Sequence, residues 1–372
     1  MADGITFVRT DEQGMLASTL REMLGESVDG DSVRERSLTV DAFDRDTWSS
    51  IAEMGLVGMG LPSSLGGADA STGDVAVLFE ELGRVVAPVP LLSAALASSA
   101  ILAGGSEFQH QALLPSMADG SVIGTVAFFE SAHGGPFGGG TTAEQSDVGW
   151  RITGSKHFVT DAPNADLFVV SARTHDGPAL FVVDASAPGV SVEAVPALDA
   201  TRPLGTVVLD VEVTDAEHLR AAPAEQVVGE VVDLATVLLA AEQVGGAQWC
   251  LDSSVEYAKE RYQFGRAIGS FQAVKHMCAN MLVAVEQARS VAWHAAASFG
   301  DESERAIAVP LAKSVCSDAY LRIAGDTIQV FGGIGFTWEH DAHLRFKRAK
   351  ADSLLFGSIE AARDRLADAI GV

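Results

Sequence analysis

Two stretches carry residue types and spacings that could do chemistry. The first is RYQFGRAIGSFQ, residues 261–272. Its pattern predicts a helix that ends near Arg261, a turn at Phe264–Gly265 and a new helix opening near Ser270. A helix N-terminus offers unpaired N–H groups and partial positive charge to an anion. Arg261 adds a planar, bidentate donor suited to a phosphate, and Gln272 can both donate and accept. The second stretch is QVFGGIGFTWE, residues 329–339. Gly332, Gly333 and Gly335 let a ligand approach the backbone, with the Gln329 amide beside them. Together the two suggest a nucleotide diphosphate site. Taken singly, Arg261 reads equally well as a helix cap and the glycines as an ordinary turn between helices.

The elements that must position these residues fall into three blocks. Residues 1–118 read as a helical domain. DEQGMLASTLREML has apolar residues at helical spacing, and Ser71 three residues before Asp74 predicts a capped start for DVAVLFEELGRVV. Residues 119–222 read as a mainly antiparallel β domain. Its short runs TVAFFE, WRITGSKHFVT, LFVVSAR, PALFVVDA, VSVEAV and GTVVLDVEV are rich in β-branched and aromatic residues and are separated by turn formers. HGGPFGGGTT, 133–142, reads as a flexible surface loop, since it lacks the strand–GxxxxGK[ST]–helix context of a phosphate cradle. Residues 223–372 read as a helical bundle. One helix runs through Gly245–Gly246, a second from Ser270 to about Phe299, a third from about Glu304 to Gln329, and shorter ones cover 338–350 and 358–370. The class is α+β and multidomain, with no βαβ alternation and no Rossmann fingerprint.

The charge balance narrows the function further. The 372 residues carry 50 acids against 25 bases, a net charge of −25. Such a surface repels nucleic acid and anionic lipid. The uncharged stretch at 85–105 is broken early by Pro88 and Pro90; the remaining ~13 residues would span roughly 20 Å as a helix, short of the ~30 Å hydrocarbon layer. It is expected to be a buried helix, with no membrane association. MADGITFVRTDEQG at the N-terminus has no apolar core of a signal peptide. Cys250, Cys278 and Cys316 lie far apart without metal-ligand spacing, so no metal site is expected and a reducing cytoplasm fits.

RYQFGRAIGSFQAVKHMCANM and QVFGGIGFTWEHDAHLRFKRA, preceded by GWRITGSKHFVTDAPNADLFVVSAR, resemble the acyl-CoA dehydrogenase family over nearly the whole chain. The resemblance implies an N-terminal helical domain, a middle β domain and a C-terminal four-helix bundle. It implies FAD lying between two subunits, an acyl-CoA substrate and electron-transfer flavoprotein as acceptor. Carried over by position, Arg261, Gln272 and Gln329–Val330–Phe331–Gly332–Gly333 match the segments that reach the FAD pyrophosphate and adenosine across the dimer. Gln263 and Phe264 match neighbouring contact positions. In KHFVTD, Phe158 stands where an aromatic packs on the isoalloxazine and Thr160 where a hydroxyl or N–H meets flavin N5. By its type alone, Phe158 reads as an ordinary core aromatic.

The departures from the family concern the base. A glutamate is implied just before the Gly–Ser pair after the basic helix, but the candidate registers give Phe356 or Gly357. The other location the family uses falls on Ala235, with Thr236 beside it and Asp233 matching a family aspartate. Glu242, two turns beyond Ala235 on the same face and within an apolar run, is the one relocated candidate; it reads alternatively as a glutamate paired with a lysine or arginine at a subunit contact. In the family's flavin- and substrate-contacting loop, here FFESAHGGPFGG, Glu130 keeps the acid and Phe129 replaces the hydroxyl. The chain thus resembles the noncatalytic subunit of bacterial heteromeric acyl-CoA dehydrogenases, which act on fatty or steroid side-chain thioesters. The alternatives are a homomeric enzyme, a homotetramer with Glu242 as base, and a noncatalytic binding or scaffold protein on the same frame.

Overall fold

Side-chain caps open most helices of the N-terminal third in the computed structural model, which describes residues 9–40, 42–131 and 135–372. Helix α1 (Asp11–Ser27) starts at Thr10, whose hydroxyl accepts from the Gln13 N–H while the Gln13 amide oxygen accepts from the Thr10 N–H. Helix α2 (Gly30–Arg36) is short, and α3 (Arg45–Glu53) is capped by Asp44. Helix α4 (Thr72–Val85) begins with the expected Ser71–Asp74 box. The uncharged stretch forms α5 (Leu91–Gly104), largely buried, and Ser106 caps α6 (Glu107–Ala118). Among the described residues no helix is long and apolar enough to cross a membrane. The first eight residues, on which the signal-peptide reading rests in part, lie outside the described residues.

Among the described residues eight strands follow: β1 (Gly124–Ala127), β2 (Thr142–Ser146), β3 (Gly149–Thr160), β4 (Leu167–Thr174), β5 (Gly177–Asp184), β6 (Val190–Val195), β7 (Leu204–Val213) and β8 (His218–Leu219). The C-terminal part holds α7 (Ala224–Glu260), a small hairpin of β9 (Tyr262–Gln263) and β10 (Arg266–Ala267), α8 (Gln272–Ala297), α9 (Glu302–Phe331), α10 (Ala342–Asp352) and α11 (Ile359–Ile370). Among the boundaries that differ from the sequence expectation, three helix starts have a local cause. Ile268–Ser270 winds as a 3-10 turn, so α8 starts at Gln272 and not Ser270. The Asp301 carboxylate accepts from the Ser303 and Glu304 N–H groups, which moves the start of α9 to Glu302. Residues 337–341 form turns, which delays α10 to Ala342.

The chain makes two compact units. The β unit takes Glu35–Ala70 and Pro88–Leu234. Its sheet runs β6-β7-β3-β2-β4-β5-β8, with β1 pairing in parallel to β4. The pairs β2–β3, β3–β7, β4–β5, β5–β8 and β6–β7 are antiparallel. Strand β7 shows why the sequence folds this way: Val207, Leu209, Val211 and Val213 are buried, while Val208, Asp210 and Glu212 alternate outward. Trp150, Ile152, Phe168, Val170, Phe181 and Val183 complete that core.

The helical unit takes the chain up to Arg34, Ser71–Ala87 and Ala235–Val372. Helix α9 is its axis and packs against α8, α10 and α11. It is tied to α7 by the Gln243 amide, which donates to the Ser317 hydroxyl at 3.2 Å, and by the Thr327 hydroxyl near the Cys250 carbonyl at 3.3 Å. Helices α4 and α7 cross where each presents a glycine to the other's backbone. A Cβ on Gly83 would lie 2.0 Å from the Glu242 carbonyl oxygen, and one on Gly245 would lie 1.8 Å from that of Glu80. Only glycine permits this approach.

Candidate functional site

In the helical unit, α7 stops at Glu260 and the chain reverses in the β9–β10 hairpin. Its two tip residues, Phe264 (φ 54°) and Gly265 (φ 76°), are both left-handed, as a two-residue primed turn requires. The backbone of Arg261 is fixed at both ends: its N–H donates to Tyr257 O at 2.9 Å, and its carbonyl accepts from Ile268 N at 2.8 Å. Its side chain is exposed, as are those of Gln263, Phe264, Gln272 and Gln329. The side chains of Arg261, Gln272 and Gln329 make no hydrogen bond among the described residues. Gln272 opens α8, a 26-residue helix that receives no side-chain cap from Phe271. The stretch 259–275 holds Lys259, Arg261, Arg266 and Lys275 against the single acid Glu260, a basic island in a strongly acidic chain. Arg266 stacks its guanidinium 4.0 Å over the Phe271 ring.

The second predicted stretch ends α9. Val330 and Phe331 are buried, and the Phe331 ring lies 4.4 Å from Tyr257 and 4.1 Å from His340. Their side chains therefore anchor the segment and leave only backbone for a ligand. Gly332 (φ 64°) and Gly333 are exposed, and no atom lies within 4 Å of where a Cβ would stand on either. Open glycine backbone, an uncapped helix start and unengaged amide and guanidinium groups suit a dinucleotide's pyrophosphate. On that ground the residues present fit FAD.

The turn after α10 holds the expected base position. Phe356 (φ 55°) and Gly357 (φ 121°) are both in the left-handed half of backbone space, and Ser358 caps α11. Beneath the turn lies Lys313 of α9, 4% exposed, whose ammonium donates to the carbonyls of Asp352 and Leu355, each at 2.8 Å. Burial pushes its pKa down to about 8, with Asp352 and Cys316 opposing. It acts as a C-terminal cap for α10 supplied from another helix. Glu360 is exposed at the start of α11, where hydrogen bonds from its own backbone N–H and the Ser358 hydroxyl hold its carboxyl below the usual range. Ala235 and Thr236 are buried. Glu242, 3% exposed, forms an ion pair with Arg348, itself 2% exposed.

In the β unit, the β3–β7 register shifts between Lys156 and Val159. The bulge places Phe158 at φ 56° with the residue 44% exposed, so it is not the core aromatic that its type alone suggests. Thr160 is buried. Its hydroxyl lies 2.9 Å from that of Ser93, which donates to the Asp161 carboxylate at 2.6 Å, and its carbonyl accepts from Thr125 at 2.7 Å. Part of the glycine-rich run, residues 133–134, lies outside the described residues. The remainder is fastened by side chains, which the expectation of a flexible loop missed. Glu130 accepts from the N–H groups of Gly140 and Thr141, both at 2.8 Å, and pairs with Lys156 at 2.9 Å. Lys313, Lys156 and Ser93 were not singled out by sequence. The available signal for Lys313 was a lone lysine within an apolar run, AIAVPLAKSVC; WRITGSKHFVT offers none for Lys156.

Models of the N-terminal, middle and C-terminal domains of acyl-CoA dehydrogenases match residues 10–121, 125–212 and 226–371. The chain belongs to the acyl-CoA dehydrogenase family, a family of oxidoreductases. Acyl-CoA dehydrogenase IpdE2 of Mycolicibacterium smegmatis is 31% identical over 349 residues, 94% of this chain and 95% of its own length. Among solved structures, one from the ChsE4-ChsE5 complex of Mycobacterium tuberculosis superposes with a TM-score of 0.91 at 28% identity, covering 98% of this chain and 99% of that one. One from the Tcur3481-Tcur3483 steroid ACAD superposes with a TM-score of 0.88 at 35% identity, covering 97% of this chain and 98% of that one.

Proposed function

We propose that the chain is the base-free subunit of a heteromeric, FAD-dependent acyl-CoA dehydrogenase that desaturates an acyl-CoA thioester between Cα and Cβ. One observation carries the reading: the turn after α10 offers Phe356 and Gly357 and no carboxylate. Two acids considered for the role are otherwise engaged. Glu242 is held by Arg348, and a carboxylate bound to a guanidinium is a poor proton acceptor. Glu360 is held ionised at a helix start. Glu242 is therefore better read as structural, which disfavours the homomeric alternative.

Arg261, Gln272 and the backbone from Gln329 to Gly333 would hold the pyrophosphate and adenosine half of an FAD shared with the partner, with Gln263 and Phe264 beside them. When bound, FAD supplies the hydride acceptor. Phe158 and Thr160 would face the ring of a flavin in this chain's own β unit. The partner subunit would contribute the base, and electron-transfer flavoprotein would take the electrons. The likeness to the ChsE4-ChsE5 complex supports a two-subunit assembly, and the likeness to the Tcur3481-Tcur3483 steroid ACAD supports a bulky substrate. The domain division 1–118, 119–222 and 223–372 and a cytoplasmic location belong to the same proposal. The test is co-expression with an unlike acyl-CoA dehydrogenase subunit encoded beside it, then mass determination and a visible absorbance scan. The expected result is a yellow mixed assembly and a colourless lone chain. A yellow, active homomer refutes the reading.

A further inference from the structure

The glycine-rich segment of the β unit is held by buried charge. The Lys156 side chain is wholly buried, and its ammonium reaches three acceptors: Glu130 Oε1 at 2.9 Å, Ser171 Oγ at 3.1 Å and the Phe128 carbonyl at 3.2 Å. Three donors thus meet three acceptors. The Glu130 carboxylate turns toward the loop and takes the N–H groups of Gly140 and Thr141. At the near end, the Ser171 hydroxyl reaches the Pro136 carbonyl at 2.5 Å, and Arg173 donates to the Phe137 carbonyl at 2.9 Å. The loop sits so close to this anion that a Cβ on Gly138 would lie 2.7 Å from Glu130 Oε2.

The energetics explain why charge is needed. A run of glycines loses more backbone freedom on ordering than any other sequence, so neutral contacts hold it weakly. Hydrogen bonds to an ionised acceptor are shorter and about twice as strong as neutral ones. Burial alone would raise the Glu130 carboxyl, but hydrogen bonds from Lys156 and the Gly140 N–H outweigh it and hold it below the usual range. An anion so engaged by three donors has little capacity left to take a substrate proton.

We propose that Glu130 and Lys156 are a positioning pair that preforms the backbone of Pro136–Thr141 as a rigid lip of the ligand site. The reading that this lip borders an acyl-CoA thioester and a flavin ring rests on the proposed function; the clamp itself does not. Neither residue exchanges a proton with substrate. Glu130 sets where the lip stands, and Lys156 sets where Glu130 stands.

Hydrogen exchange on the full chain tests the clamp without any ligand. The Gly140 and Thr141 amides exchange slowly in the native protein. In Glu130→Gln they exchange roughly tenfold faster or more, while the paired amides of β3 and β7 keep their protection. Native-like exchange in that variant overturns the proposal. Should the variant fail to fold, the native protein decides, because amides that exchange there like unbonded, exposed ones overturn it too. In the co-expressed holo-assembly, with octanoyl-CoA as probe, Glu130→Gln raises KM several-fold and changes kcat less. A loss confined to kcat would give Glu130 a chemical role and overturn the proposal. An assembly without flavin in its native form refutes the function alone, and the exchange result still decides the clamp.

Discussion

Replacing Lys313 by Met makes stability report on the ammonium beneath the base-position turn. The native chain holds this group at a pKa of about 8, against an ordinary value of 10.5. The folded state therefore binds the proton less tightly than the unfolded chain. Below the folded pKa both states are protonated, and burial of the charge weighs against the fold. Between the folded and ordinary values the unfolded chain holds more protons, so stability rises with pH across that window. At 1.36 kcal/mol per pKa unit, the full rise is about 3 kcal/mol, and about 2 kcal/mol of it falls between about pH 8 and pH 10. Lys313→Met lacks this rise. It also strips the caps from the Asp352 and Leu355 carbonyls, so at neutral pH the variant is no more stable than the native chain despite losing the buried charge. The assay is urea unfolding of both proteins at about pH 7 and about pH 10, with the difference between them taken at each pH so that general charge repulsion cancels. The native chain should gain about 2 kcal/mol on the variant between those conditions. A difference that stays constant with pH refutes the reasoning, since Lys313 would then titrate like an exposed lysine.

Two substitutions test the other assignments. Glu242→Gln removes the carboxylate paired with the buried Arg348 guanidinium and should cost about 3 kcal/mol, read as a fall in melting temperature. Unchanged melting together with lost flavin bleaching by substrate would instead restore Glu242 as a base. Arg261→Ala should weaken FAD retention in the mixed assembly by roughly tenfold or more and leave the melting of the lone chain within about 0.5 kcal/mol of native, because the side chain is exposed and unengaged. Retention unchanged on gel filtration would remove Arg261 from the pyrophosphate contacts.

What could be read from the sequence followed local chemistry. The Ser71–Asp74 cap, the buried helix after Pro90, the alternation along β7 and the turn at Phe264–Gly265 are each written within a few residues. Sheet order was not legible: β2 returns between β3 and β4 because of pairings distant in sequence. The Asp301 cap was missed because an acid after glycine reads equally as loop. In the candidate site, the exposed grip residues could be named because their types suit an anion. The supporting residues could not. Lys156 and Lys313 look like surface residues by type, and only the fold surrounds them with carbonyls and carboxylates. The bulge at Phe158 was likewise hidden, since left-handed backbone at a phenylalanine is set by the partner strand and not by the residue.

The crossing of α4 with α7 acts as a keyway. Each helix offers a notch, Gly83 or Gly245, into which a carbonyl of the other fits. Sliding α4 by a single residue would drive Leu82 or Arg84 into the slot at Gly83, which sets its alignment on α7. Glu242 seats its backbone carbonyl in one notch, and its carboxylate accepts from Arg348. The same residue thus indexes α7 along its length and about its axis, much as a pin and a flat together locate a shaft.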